Sequence, residues 1–389
     1  MSEFNRVDNG DCLNVLKSAR PLCIDLIYLD PPFFTQKEHT ETTRLGDEKY
    51  SFKDKWIQKN DYLSFMHLRL VECKRVLKET GSIFLHCDRN AVHNLKVVCD
   101  EIFGESNFRS EIIWTYKRWS NSSKNLLPAH QTILYYTKSK KYCFNQIFTD
   151  YSESTNIDQI LQNRTRDGRN KSVYAKNEDG SDVQSEGKKG VPLGDVWEIP
   201  YLNPKAKERV NYPTQKPVLL LERIVSIASN EGDVVLDPFC GSGTTLVAAK
   251  LNNRNYWGID ESSDAVRLSN ERLLDCVKTN SNLLLKGRSA YQSADKRLSY
   301  VLNGVKYKPV HRNKGMDAVL EEKGTDGFTF IRLQKENEDI EEGIALLKKA
   351  METKGKCKGV FVVFESTSNF RHSPKNIKII HAISAQLDT

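Results

Sequence analysis

Asp25-Leu26-Ile27-Tyr28-Leu29-Asp30-Pro31-Pro32-Phe33 is the stretch on which the fold turns. The apolar run Leu26 to Leu29 reads as a buried strand. It stops at a carboxylate and two prolines, which cannot donate to a sheet ladder. The result is a rigid corner at a strand's carboxyl end, where open α/β sheets place their ligands. The corner offers the Asp30 carboxylate, the Pro31 carbonyl and the flat face of Phe33. Together these suit a planar base that carries an exocyclic amino group.

A second stretch of the same kind lies far downstream. Asp233-Val234-Val235-Leu236-Asp237 reads as a buried strand entering Pro238-Phe239-Cys240-Gly241-Ser242-Gly243-Thr244-Thr245, with a helix to about Leu251. Glycines at such a turn let the backbone approach a ligand, and the helix N-terminus adds partial positive charge. Tyr256-Trp257-Gly258-Ile259-Asp260 is a further strand ending in an acid. Asp260 lies 17 residues after Gly243, near the spacing at which an acid reaches a ribose hydroxyl. The third glycine of a dinucleotide fingerprint is absent, and so is a Gly-Lys-Thr or Gly-Lys-Ser phosphate grip. An adenosine-type ligand without a pyrophosphate fits better.

Between and around these stretches the chain alternates helix and strand. Asp11 is a candidate N-cap for a helix running to about Ala19. Residues 34–55 are polar with little periodicity, which predicts either a lid or an unstructured loop. Leu63, Met66, Leu70, Cys73 and Leu77 have helical spacing, and that helix is expected to end at Gly81. Ser82–His86, Ile112–Trp114 and Thr132–Tyr136 read as strands, and 91–103 as a helix. From 138 to 195 Ser, Asn, Gly, Lys and Arg dominate, as in a loop-rich insert. Tyr212-Pro213-Thr214-Gln215-Lys216-Pro217 is a constrained turn before a helix at 218–229. Residues 277–310 read as a linker, and a strand–helix–strand module follows at 311–389. In that module Asp326 and Gln334-Lys335 only loosely match a nuclease pattern of acid and lysine, so a structural or DNA-contacting role is expected.

The net charge is +7, and residues 108–216 carry 18 basic against 12 acidic side chains. A localised excess of this kind is the footprint of a polyanion partner. Lys138, Lys140, Lys141, Arg164, Arg166, Arg169, Lys188 and Lys189 are the candidate DNA contacts, with Tyr151 and Tyr174 interspersed as stacking candidates. Nine scattered cysteines without a Cys-x-x-Cys pair predict reduced thiols in a cytoplasmic protein. No metal site is expected; His86 and Asp88 fit a core strand better. No apolar run is long enough for a membrane span, and no leader is expected at Met1–Arg6.

These motifs, in this order, resemble the S-adenosylmethionine-dependent amino-group DNA methyltransferases of the circularly permuted β group. The signatures are Asp30-Pro31-Pro32-Phe33 and Asp237-Pro238-Phe239-Cys240-Gly241-Ser242-Gly243. Ser82–Asp88, His130–Tyr136 and Tyr212–Pro217 are similar to other segments of that group. The resemblance implies an α/β fold: a seven-stranded, mostly parallel, doubly wound methyltransferase sheet. Its two halves at 1–137 and 211–276 flank a recognition insert at 138–210; a linker at 277–310 and a small α+β module at 311–389 follow. The strands ending at Asp30 and Asp237, 207 residues apart in sequence, would lie side by side.

The family implies Asp30, Pro31, Pro32 and Phe33 as the catalytic corner. It implies S-adenosylmethionine as donor and Asp237, Phe239, Gly241, Gly243, Thr244 and Asp260 as its site, with Asp11, Thr214 and Lys216 as weaker members. Asp11 fits a helix cap almost as well. The implied activity is sequence-specific methylation of adenine N6 in flipped-out duplex DNA, because Asp stands at the first corner position. Cytosine N4 is the alternative, and an inactive DNA-binding module is a third reading. Carbon-5 methylation needs a cysteine, usually after proline, and no Pro-Cys dipeptide exists. Duplex DNA is the expected partner. A cognate restriction endonuclease and a homodimer are left open.

Overall fold

Leu26, Ile27, Tyr28 and Leu29 are buried one after another, so the strand they form is covered on both faces. In this computed structural model the described residues are 3–34, 38–42, 49–53, 56–116, 125–149, 163–181, 183, 190–203, 206–210, 212, 214–279, 295–311, 313–320, 327–352, 357–364 and 374–382. The chain divides into two units, Met1–Asn280 and Ser281–Thr389.

The first unit is built on an eight-stranded sheet. Its strands are β1 (Arg6–Asn9), β2 (Ile24–Leu29), β3 (Leu77–Cys87), β4 (Phe108–Thr115), β5 (His130–Thr137), β6 (Val196–Glu198), β7 (Val234–Asp237) and β8 (Asn255–Asp260). Their spatial order is β1-β8-β7-β2-β3-β5-β4-β6. Only β5 runs against its neighbours; the other pairings are parallel. β7 sits beside β2, with Val235 opposite Leu26 and Leu236 opposite Ile27. The two motif-bearing strands are therefore neighbours, as the resemblance implies. Asp25 staples their amino ends: its carboxylate accepts from the Val234 amide at 2.9 Å and pairs with Lys78 at 2.8 Å.

Two sets of helices supply the cover. α1 (Cys12–Ser18), α2 (Lys59–Val76) and α3 (Val92–Phe103) pack on one another and share a core with β2 and β3. α4 (Val218–Ala228), α5 (Thr244–Leu251) and α6 (Ser263–Leu274) form the other set.

Four expectations need correction. The sheet has eight strands, because Val196–Glu198 adds β6 beside β4. That strand lies within the expected insert, so the end of 138–210 belongs to the sheet. Trp197 and Ile199 are buried there, and the Trp114 indole donates to the Ile199 carbonyl at 2.7 Å. Residues 34–55 contain an antiparallel ribbon, Glu38–Thr42 against Lys49–Lys53. α2 ends at Val76, and the chain passes through Gly81 as strand. Gly81 is there for close approach: a Cβ would meet Leu77 at 2.6 Å and the Asp25 carbonyl at 3.0 Å.

The second unit is a five-stranded sheet of β9 (Tyr307–Pro309), β10 (Ala318–Leu320), β11 (Phe328–Leu333), β12 (Cys357–Val363) and β13 (Ile377–His381), in that order. The first three strands are antiparallel and the last two continue parallel to β11. α7 (Ile340–Glu352) buries Ile340, Ile344, Leu347 and Met351 against it. The expected linker thus ends earlier than 310: Leu298 and Leu302 lie in this unit's core, and β9 is an edge of its sheet. Leu347 is fully buried. Leu347→Ala should weaken this unit by roughly 2–5 kcal/mol, read as faster hydrogen exchange at the β11 and β12 amides.

Candidate active site

β2 and β7 end at the same edge of the sheet, and their two turns line one cavity of about 1020 Å³. Asp30, Pro31, Pro32 and Phe33 form one wall; Asp237, Phe239, Gly241, Thr244 and Asp260 form another. Asp30 Oδ2 is ion-paired with Lys216 Nζ. Asp30 Oδ1 is buried and accepts no hydrogen bond among the described residues.

The floor beneath this carboxylate is a buried imidazole that gives it no proton. His86 on β3 is fully buried between the Tyr28 hydroxyl (2.8 Å from Nδ1) and Gln131 Oε1 (3.0 Å from Nε2). Burial, reinforced by the Lys216 charge, pushes its pKa down to about 3, so the ring is neutral. The Gln131 carbonyl requires the proton on Nε2, which makes Nδ1 the acceptor of the Tyr28 O–H. Nδ1 therefore has no proton for Asp30 Oδ1, 3.8 Å away. The Phe33 ring lies over this floor, with its centroid 5.9 Å from that of His86.

The opposite wall is held by its own carboxylates. Asp237 accepts from the Phe239 amide at 3.0 Å and from the Thr245 hydroxyl at 2.5 Å. It is fully buried, and desolvation raises its pKa to about 7. Gly241 and Gly243 have φ of +51° and +73°, where a side chain is strained. A Cβ on Gly243 would also stand 2.7 Å from Ser269 Oγ. Asp260 accepts from the Gly241 amide at 2.8 Å and the Ser262 amide at 2.9 Å. On α6, Ser269 donates to the Gly241 carbonyl at 2.8 Å and Arg272 to the Ser242 carbonyl at 2.5 Å. Ser269 and Arg272 escape a reading by motif because they lie on an ordinary helix, 28 and 30 residues past the carbonyls they hold.

The other expected residues fall in several places. Thr214 and Lys216 line the cavity. Asp11 does not: its side chain accepts from the Leu13 amide at 2.6 Å and pairs with Arg69 at 2.5 Å, the helix-cap alternative. Lys138 is a correction. β5 runs antiparallel, so its end points away from Asp30, and Lys138 is spent on the Leu77 carbonyl at 2.7 Å and on Glu79. Lys140 and Lys141 follow it in the same turn. Arg164 and Arg166 are exposed on a strand that pairs with Ser172–Tyr174, and Arg169 sits in the connecting turn. Arg164 lies over the Tyr174 ring, 4.9 Å from its centroid. Lys188, Lys189, Tyr151 and Asp326 lie outside the described residues.

Among the described residues no group of His, Cys, Asp and Glu could hold a metal ion, and no helix is long and apolar enough to cross a membrane. All nine cysteines are free thiols. In the second unit Lys335 pairs with Asp317 at 2.7 Å and Asp295 at 3.1 Å. The residue two before it is Leu333, buried, where a nuclease pattern would want an acid.

Asp237 gives a pH prediction with a definite sign. Between about pH 4 and 7 the folded protein holds a proton there that the unfolded chain has released, so this group lowers stability as pH rises. From pH 5 to 8 the melting temperature of Asp237→Asn should move in the variant's favour relative to wild type. A gap that stays constant would contradict the raised pKa.

A family model described as DNA methylase matches residues 24–271. The chain is 33% identical over 266 residues to Type II methyltransferase M.HpaI of Haemophilus parainfluenzae, covering 67% of this chain and 73% of that protein. It is 30% identical over 275 residues to DNA adenine methyltransferase YhdJ of Escherichia coli (strain K12), covering 70% and 83%. Among solved structures, PvuII DNA methyltransferase (cytosine-N4-specific) superposes with a TM-score of 0.45 at 16% identity, covering 73% of this chain and 97% of that one.

Proposed function

The chain belongs to the DNA methylase family, and from that premise we propose that it moves a methyl group from S-adenosylmethionine to the N6 amine of adenine at a defined sequence in duplex DNA. The observation that carries this reading is the meeting of the Asp30 corner and the Asp237–Gly243 turn in one cavity. Asp at the first corner position and the adenine specificity in the name of YhdJ support adenine. The Type II name of M.HpaI supports a place in a restriction–modification system, where an endonuclease would share the recognition sequence.

The residues fit such a donor. Gly241 and Asp260 both line the cavity, and a Cβ on Gly241 would stand 3.1 Å from Tyr212, another of its lining residues. S-adenosylmethionine supplies an electrophilic methyl group. The rest is the work of the chain. An adenine amine is a weak nucleophile because its lone pair is delocalised into the ring. Asp30 and the Pro31 carbonyl accept its two N–H groups, which favours a pyramidal nitrogen and frees the lone pair. Phe33 stacks on the base, which must leave the duplex to reach the cavity. Asp30 takes up the proton that the amine sheds. Positioning and pre-set acceptors, rather than covalent chemistry, supply the rate.

Asp30→Asn should cut methyl transfer from labelled donor to genomic DNA by about 100-fold or more, with N6-methyladenine as the wild-type product on nucleoside analysis. Full activity in the variant, or N4-methylcytosine as the product, would overturn the respective parts of this reading. The exposed arginines at 164, 166 and 169 are proposed to grip phosphates. Replacing all three by Ser should weaken DNA binding alike on every sequence and lower the log–log salt slope by about 2–3.

A further inference from the structure

The turn Tyr212–Pro217 belongs by sequence with the donor half of the site, yet its lysine reaches the other half. Lys216 is 6% exposed. Its ammonium pairs with Asp30 Oδ2, lies 3.4 Å from the Thr214 carbonyl, and borders the face of Phe33 at 5.5 Å from the ring centroid. With Oδ2 engaged, Oδ1 is the oxygen of Asp30 that lacks a hydrogen bond among the described residues. We propose that Lys216 is the positioning residue of the base-accepting corner: it fixes the Asp30 carboxylate so that one oxygen is left to receive the amine. This rests on the reading of the cavity as a methyltransferase site.

The backbone around Lys216 is built to aim it. Thr214 has a φ of +61°, costly for a β-branched residue and held only where the surroundings over-determine it. Those surroundings are Glu208 and Gln215. The Gln215 amide donates to the Glu208 carbonyl at 2.8 Å and accepts from the Val210 amide at 2.9 Å. The buried Glu208 carboxylate accepts from the Val218 amide at 2.7 Å and the Thr279 amide at 2.8 Å. The residues on both sides of Lys216 are thus tied down. A surface lysine needs none of this, and a lysine meant for the donor has no reason to end on Asp30.

The test separates the two halves of the site. Donor affinity is measured by titrating S-adenosylmethionine into full-length protein. Turnover is measured with labelled donor on genomic DNA, for wild type, Lys216→Met and Lys216→Arg. The expected result is donor affinity within about two-fold of wild type in both variants. Turnover should fall by about 30- to 100-fold in Lys216→Met, as expected for a misplaced reacting group, and return to within about five-fold in Lys216→Arg. Lys216→Gln keeps a donor toward Asp30 without charge, and it carries the same readouts should the Met variant fail to fold. Loss of donor affinity in step with turnover would make Lys216 a donor ligand and overturn the proposal; unchanged turnover would overturn it as well. A wild-type protein that neither binds donor nor methylates DNA would instead overturn the methyltransferase reading beneath it.

Discussion

The parallel pairing of β2 with β7 is the constraint on which the rest depends. Two short strands from opposite ends of the first unit meet over Val235–Leu26 and Leu236–Ile27, with Asp25 holding the amide that precedes them. That register sets where Asp30 stands relative to Asp237, and so the geometry of everything the two turns line. A slip of one residue would send each β7 side chain to the other face of the sheet, Asp237 among them. The burial of both strands on both faces is what forbids the slip.

The acids at this edge divide by how they are satisfied. Asp237 and Asp260 give both oxygens to amides and hydroxyls of the turns they support. They shape the cavity walls, and burial raises the pKa of each. Asp30 alone of the three takes an ammonium on one oxygen and, among the described residues, keeps the other without a hydrogen bond. A buried acceptor left unpaired is costly, and under the proposed function a substrate amine would relieve that cost. The neutral His86 below adds no hydrogen bond to that acceptor, since its Nδ1 stands 3.8 Å from Oδ1 and faces the Tyr28 hydroxyl.

Most of the first unit was legible because its signals are local. Buried strands at 26–29 and 234–237 announce themselves as apolar runs, and the corner and Gly-rich turn as breaks in those runs. What was not legible depends on distant partners. Gly81 looks like a helix stop, and only the nearness of Leu77 and the Asp25 carbonyl shows why it is a strand glycine. β6 is three residues long and becomes a strand because β4 offers it an edge. Lys138 reads as one more basic residue until the antiparallel course of β5 carries it to the far end of the sheet. Lys216 sits in a segment that the family resemblance links only weakly to the donor, and the carboxylate it pairs with is 186 residues away.

The Glu208 carboxylate, which holds the turn before α4, also ties together parts of the first unit that lie far apart in sequence. It receives amides from Val218 and Thr279, both beyond the insert, while its own backbone is held by Gln215. The segment that delivers Lys216 therefore takes its anchorage from residues that follow the turn in sequence. The start of α4 and the residue at 279 are thereby joined to the turn through one side chain. A change at Glu208 would loosen all three places at once, although 71 residues separate this acid from Thr279.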